Sequence, residues 1–469
     1  MALARVPFQS PRRPFDVAAF TAGITGTVIR PDDPSFDTAR QVQNLAFDKR
    51  PSLIVRAANA ADVARTVIAA RDQGLELAVR SGSHSLAGHS TTDGGIVLDL
   101  GAMKGMHIDP DRRLAWVQPG LTAGEITEAA AAHGLAIPFG DTASVGVGGI
   151  TLGGGVGFLV RKFGLTIDAL LSVELVTADG QLITASATEH ADLFWAIRGG
   201  GGNFGVVTRF QFRLYPVPET LSGAIFLPAT RDVLRALVPI AASAPKELTV
   251  IASVMPAPPA PFVPDEHHFK LSLAVLFVYA GDPEAGRAAI APFRAVAEPY
   301  AEAVAPMPYG GIYALTSEGA AAGYSTVRSL FLDTIDDAVI DTILGHHATA
   351  TAPIVLTQLR VLGGAMAEVP ASATAFAHRD ALVMATIITP FEDPAEAPKH
   401  RAWTTAYYEA LRPFGRGVYA NFLEDEGQGR IHEAYPGDTY ARLAEVKRRF
   451  DPGNLFRLNQ NIRPTVASA

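Results

Sequence analysis

Apolar positions in the first half of the chain fall into short runs separated by stretches of helical period. Leu53 to Ala57 reads as a strand. Asn59 then caps a helix running through Ala70, because an asparagine side-chain oxygen can take the free amides of a first helical turn. Leu75 to Arg80, Ile96 to Leu100 and Leu114 to Gln118 predict three further strands. Thr122-Ala123-Gly124-Glu125 has the spacing of a capping box and opens a helix that ends near His133-Gly134. Leu171 to Ala178 and Gln181 to Ser186 flank Asp179-Gly180, the signal of a hairpin with a two-residue turn. Thr208, Phe210, Phe212 and Leu214 alternate with Arg209, Gln211 and Arg213, which is the period of a half-buried strand.

Pro216-Val217-Pro218 reads as a boundary. Beyond it the pattern runs strand, helix, strand, helix, with Phe269 to Tyr279, Ile354 to Val361 and Ala381 to Thr389 as its clearest strands. Pro256 to Pro264 is proline-rich and predicts a loop, and no internal repeat is evident. Near the end, Tyr440, Leu443, Val446 and Phe450 recur on one helical face and should pack inward. Lys447, Arg448 and Arg449 close that helix and are expected to complement its dipole while staying solvated.

Composition narrows the class. With 469 residues, two or three domains are expected at ~100–200 residues each. A hydrophobic content of 48% against 18% charged residues describes a core-rich globular chain. A net charge of −8 argues against a nucleic-acid partner, since phosphate backbones demand basic surface. The absence of cysteine removes disulfides, thiol nucleophiles and cysteine-held metals together. The histidines show no metal-ligand spacing, so no metal is expected. Met1 to Asp16 lacks the apolar stretch of ~7–15 residues that a signal peptide requires. The longest apolar run, Leu271 to Ala280, is too short to span a membrane. The cytoplasm is the expected location.

Three small-residue segments carry the candidate chemistry. In Val79-Arg80-Ser81-Gly82-Ser83-His84-Ser85-Leu86-Ala87-Gly88-His89 a strand end runs into residues too small to shield an imidazole from a bulky ligand. His84 is the first candidate there, and His89 competes with it. Gly146 to Gly157 holds a second glycine cluster with no lysine followed by serine or threonine, which excludes a Walker loop. Its consecutive amides can still cradle a pyrophosphate. Gly200-Gly201-Gly202-Asn203-Phe204-Gly205 fits G-x-G-x-x-G, but it follows the helical Asp192 to Ile197 and opens the strand Val206 to Leu214. That order is the reverse of a nicotinamide-dinucleotide motif. Together the segments suggest one large, flat, phosphate-bearing ligand.

These segments resemble flavoproteins of the vanillyl-alcohol oxidase type, and within them the berberine-bridge-enzyme-like branch. The likeness runs through Arg80-Ser81-Gly82-Ser83-His84-Ser85, Asp99-Leu100, the Gly146 to Gly157 loop, Trp195 to Val207, and Phe450 to Ile462. It implies an α+β, two-domain FAD-binding fold: an N-terminal flavin domain (1–215), a central antiparallel-sheet substrate domain (216–413), and a C-terminal segment (414–469) returning to the flavin domain. The family's R-S-G-G-H-S loop implies that FAD is covalently attached through His84, with Ser83 in place of the second glycine. It also implies cofactor contacts from Arg80, Ser81, Gly82, Ser83, Ser85, Thr142, Val145, Gly146, Gly148, Gly149, Gly202, Val207, Asn459 and Asn461. Tyr435 falls where the family places a tyrosine against the substrate, and Tyr419 is the second catalytic candidate.

Two departures shape the functional expectation. Thr142 stands where many relatives carry a second, cysteinyl flavin link, so attachment should be single. This resembles the bacterial hydroxynicotine oxidases and favours a small substrate. After His378-Arg379, where alkaloid-forming relatives place a glutamate base on the strand, Ala385 or a neighbour occupies the position. The resemblance thus implies a flavin oxidase that takes hydride from a C–H of a small hydroxylated, amine-bearing or natural-product substrate. Molecular oxygen would reoxidise the flavin and yield hydrogen peroxide. A dehydrogenase of the same fold and a non-catalytic flavin-binding protein are the alternatives, and the sequence leaves the oligomeric state open.

Overall fold

A short parallel unit carries the histidine loop. In the computed structural model, which describes residues 15–316 and 322–465, Asn59 accepts the amides of Ala61 and Asp62 and starts the helix Ala60–Gln73. Gly74, at φ +64°, ends it in the left-handed conformation that glycine adopts without a steric cost. This helix links the strands Leu53–Arg56 and Leu77–Arg80, which pair on either side of Ile96–Asp99, all parallel. Thr27–Ile29 adds an antiparallel edge that was not read from the sequence. Residues 1–14 of the segment read for a signal peptide lie outside the described residues.

A second sheet is wholly antiparallel, in the order Met106–Asp109, Leu114–Val117, Val206–Arg213, Leu170–Val176, Leu182–Ser186. The expected capping box forms: Thr122 and Glu125 each accept the other's backbone amide. The expected two-residue hairpin does not. Thr177 donates to the carbonyl of Gln181, and Gly180, at φ +86°, donates back to Thr177. The loop is therefore the three residues Ala178–Gly180, with glycine in its left-handed place.

The largest sheet has eight antiparallel strands: Ala301–Met307, Thr220–Pro228, Leu271–Tyr279, Leu248–Pro256, Leu356–Val361, Val383–Phe391, Tyr324–Leu332 and Gly415–Arg416. One face is covered by helices Arg231–Ser243, Pro283–Arg294, Asp337–His347 and Ala397–Leu411, over a core that includes Val250, Leu359 and Ala385. Ile251, Leu276 and Val278 from the opposite face join the core of the antiparallel flavin-side sheet. Side chains alternate along a strand, so Gln358, Arg360, Met384 and Thr386 face away from the helices. Of the residues expected at the position of the missing glutamate, Ala385 or a neighbour, Ala385 points into the helix layer. Its neighbours Met384 and Thr386 face the other way.

The last helix, Asp438–Phe450, buries Leu443 and Val446 as its periodicity requires. Lys447 is a correction to the solvated reading. It is fully buried, and its ammonium donates to Asp451 at 2.7 Å, to the carbonyl of Asn203 at 2.7 Å and to that of Phe456 at 3.1 Å. Burial lowers its pKa, while Asp451 opposes the shift. Arg448 and Arg449 are exposed, as expected, and pair with Glu445 and Asp192. Among the described residues, no helix is long and apolar enough to cross a membrane.

Candidate functional site

The two glycine segments meet backbone to backbone. A Cβ on Gly82 would strike the backbone nitrogen of Gly146, and one on Gly146 would strike both Gly82 and the Ser81 hydroxyl. That approach explains why neither position carries a side chain. Ser81 Oγ donates to the carbonyl of Pro119 at 2.5 Å and accepts the Gly148 amide at 3.3 Å, which fixes the junction. Ser83 lies at φ +63°. This conformation suits glycine, so the serine here costs on the order of 1 kcal/mol, and the turn itself accounts for a glycine in the related loop.

His84 follows that turn. Its Nε2 lies 3.0 Å from Ser144 Oγ on the second segment. Burial lowers its pKa and Ser144 partly restores it, so the imidazole is neutral at pH 7. His89 does not reach the second segment. Ser85 Oγ accepts its backbone amide at 3.1 Å, its buried Nε2 has no partner among the described residues, and burial lowers its pKa to about 4.

The remaining positions sort by contact. Thr142 O takes the Val145 amide at 3.4 Å, and the Val145 carbonyl takes that of Ala123. Gly149 faces open space, since a Cβ there would meet nothing within 4 Å. Gly202 and Asn459 come together: a Cβ on the glycine would lie 2.9 Å from the asparagine Oδ1. Val207 is buried in the adjoining core. Asn461 Oδ1 is buried without a protein partner. Arg80 lies beneath the loop, where Nη1 donates to the carbonyls of Ala39 and Gln41 while Nε and Nη2 find no partner. Glycine contacts open to space, together with buried polar atoms that lack partners, fit a large ligand gripped mainly by backbone.

The two tyrosines differ in kind. Tyr435 donates its hydroxyl proton to the carbonyl of Gly199 at 3.1 Å, deep in the core, and burial drives its pKa well up. Tyr419 Oη instead accepts two donors, the Gly155 amide and Asn421 Nδ2, both at 2.9 Å. Burial raises its pKa to about 12 despite those bonds. Its proton is left without an acceptor among the described residues, whereas that of Tyr435 is committed.

Several residues at this site escaped the sequence reading. Asn203 ties the glycine turn to the chain's end, donating to Gly200 and Gln460 and accepting from Ile462. Asn421 holds Tyr419. Asp141, beside Thr142, pairs with Arg360 of the central sheet at 2.6 Å. An arginine between the apolar Leu359 and Val361 signals that this position needs a polar partner, without saying which. Among the described residues, no group of three or more histidines or carboxylates could hold a metal ion.

Comparison with known proteins agrees with this geometry and defines the class as an FAD-dependent oxidoreductase. An FAD binding domain matches residues 51–186. A berberine and berberine-like domain matches residues 418–463. (R)-6-hydroxynicotine oxidase from Paenarthrobacter nicotinovorans is 32% identical over 94% of this chain and 97% of its own length. The solved structure of 6-hydroxy-D-nicotine oxidase from Arthrobacter nicotinovorans superposes with a TM-score of 0.85 at 30% identity, covering 94% of this chain and 98% of that one. Glucooligosaccharide oxidase from Acremonium strictum, described with a 6-S-cysteinyl, 8α-N1-histidyl FAD, shares the fold at 22% identity with a TM-score of 0.86, covering 96% and 99% of the two chains. The chain belongs to the berberine-bridge-enzyme-like family of the vanillyl-alcohol oxidase type flavoproteins.

Proposed function

We propose that the protein is an oxidase of small hydroxylated, amine-bearing or natural-product molecules, with FAD joined to His84 by a single covalent bond and molecular oxygen as the electron acceptor. The observation that carries the attachment is the engagement of the neutral His84 at Nε2 by Ser144. With Nε2 so engaged, Nδ1 is the ring nitrogen assigned to the flavin bond in this reading. A histidyl flavin is named for glucooligosaccharide oxidase, and a second, cysteinyl bond is impossible in a chain without cysteine. FAD supplies the two-electron acceptor; the protein orients the substrate and excludes water.

Tyr419 is the stronger catalytic candidate, because its proton is free while its oxygen is fixed by two donors. In that state the phenol orients a substrate oxygen or nitrogen by donating to it. To act as a base the phenol would first have to lose that proton, and burial, which raises its pKa to about 12, opposes the loss. The test is an acid precipitation followed by an oxygen electrode. Yellow protein whose flavin peptide contains His84, with one hydrogen peroxide formed per oxygen consumed, supports the reading. A colourless pellet removes the covalent link. Rapid dye or quinone reduction with slow reoxidation in air makes the protein a dehydrogenase.

A further inference from the structure

A polar cluster lies between the second glycine segment and the central sheet. Arg360 projects from the sheet face opposite the helices and spans the gap to Asp141. Its Nε and Nη2 both donate to the same carboxylate oxygen, Oδ2, at 3.1 and 2.6 Å. Its Nη1 lies 3.4 Å from the Thr386 hydroxyl, and its guanidinium sits 5.2 Å from the centre of the Phe422 ring. Phe422 packs against Tyr419, with ring centres 5.1 Å apart. The cluster therefore adjoins the catalytic candidate, and the charge of Asp141 is felt at Tyr419.

Among the described residues, Oδ1 of Asp141 meets only the Thr142 hydroxyl, at a long 3.4 Å. The Asp141 side chain keeps 17% exposure, whereas Arg360 keeps 7%, so the acid is reachable and the base is covered. Gln358, two residues from Arg360 on the same face, buries its Oε1 with no partner among the described residues. Two acceptors thus await donors, and the cation beside them is already neutralised. Such a site suits a ligand bearing hydrogen-bond donors and gives an anion nothing to bind.

We propose that Asp141 is the substrate anchor of this enzyme: its Oδ1 accepts a hydrogen from a hydroxyl or protonated amine, and Arg360 is the positioning residue that aims it. The proposal rests on the small-molecule oxidase reading and narrows its substrate class to donor-bearing molecules. Selectivity follows from the chemistry. A ligand whose hydroxyl is methylated or whose amine is acylated leaves the carboxylate oxygen desolvated and unpaired, which costs more than an exposed hydrogen bond would.

Calorimetry on the flavin-loaded protein tests it with two probe pairs, N-methylpyrrolidine against N-acetylpyrrolidine and phenol against anisole. The first pair reads an ammonium donor and the second a hydroxyl. The wild type should bind the donor-bearing member of at least one pair about tenfold or more tightly, the size expected of a charge-assisted hydrogen bond. Asp141→Asn should abolish most of that preference. Asp141→Asn/Arg360→Gln, which leaves no unpaired buried charge if the single variant fails to fold, should do the same. Arg360→Lys should retain it, because a cation still faces the carboxylate. Equal binding within both pairs, no binding by any probe, or a preference that survives Asp141→Asn in either background overturns the proposal. Flavin absorbance on the same samples separates the two failures: colourless protein counts against the oxidase reading, whereas yellow protein without donor preference counts against the anchor alone.

Discussion

Nε2 of His84 and Oγ of Ser144 stand 3.0 Å apart and join the histidine loop to the second glycine-bearing segment. With Nε2 engaged, the proposed flavin bond falls to the other ring nitrogen. Two variants separate the histidine from its support. His84→Ala should fold and hold FAD only reversibly, so its acid-precipitated pellet is colourless. Ser144→Ala should still form the bond, but about fivefold more slowly, the effect of losing one orienting hydrogen bond of about 1 kcal/mol. The fraction of flavin retained by acid-precipitated protein over time measures both. Attachment in Ser144→Ala at the wild-type rate would show that the contact is incidental.

Val145 is proposed to control the access of oxygen to the flavin. Its backbone is fixed at both ends, with the amide on Thr142 and the carbonyl on the Ala123 amide. Its side chain packs partly buried against the flavin-side core. Added bulk has to project from a backbone that cannot retreat. Val145→Leu should slow reoxidation by oxygen at least about tenfold, a barrier of about 1.4 kcal/mol, while flavin reduction by substrate stays within about twofold. Stopped-flow reoxidation in air-saturated buffer decides it, and an unchanged rate removes Val145 from the oxygen path.

Local signals were legible and distant ones were not. Asn59 and the Thr122–Glu125 box are satisfied within four residues, so sequence alone contained both partners. The histidine loop was readable for the same reason. Lys447 was misread because two of its three acceptors, the carbonyls of Asn203 and Phe456, are brought to it by tertiary folding. A lysine is solvated by default and buried only when such partners converge. The strand after Arg379 was found, but the facing of its residues was not. Side chains alternate, so a shift of one residue exchanges the two faces, and only pairing with Leu356–Val361 sets Ala385 among the helices. Asp141 and Arg360 are 219 residues apart, and no pattern in one chain links them.

Acid should weaken the fold through buried histidines. His89 and His347 both have pKa values lowered by burial to about 4. In the unfolded chain each titrates near 6.5. Below that pH the unfolded state binds protons that the folded state refuses. The stability each neutral ring confers is therefore complete above pH ~6.5 and is lost as pH falls through about 4. The full loss is on the order of 3 kcal/mol per histidine. Melting temperature should fall steadily between pH 6.5 and 4.5, and His89→Gln should show a shallower fall, whatever its stability at pH 7. Parallel curves for the variant and the wild type would mean that His89 is not among the groups responsible.

The two tyrosines give the sharpest test of the catalytic reading. Tyr435 gives its proton to the Gly199 carbonyl, so Tyr435→Phe loses one hydrogen bond inside the core and nothing directed at a substrate. It should lower the flavin-reduction rate by less than about threefold and cost about 1 kcal/mol of stability. Tyr419 receives hydrogens from Gly155 and Asn421 and keeps its own proton unassigned. Tyr419→Phe should slow flavin reduction by about 10²–10⁴-fold if the phenol acts as acid or base. It should slow it by about tenfold if the phenol only orients the substrate, the upper end expected of a neutral hydrogen bond. A solvent isotope effect on the reduction rate separates these cases, because only proton transfer in the rate-limiting step produces one of substantial size. Asn421→Ala should reproduce part of the Tyr419 defect, since it removes one of the two donors that fix the oxygen. If instead Tyr435→Phe proves the more damaging of the two tyrosine changes, Gly199 is only a resting-state partner and the catalytic role returns to Tyr435.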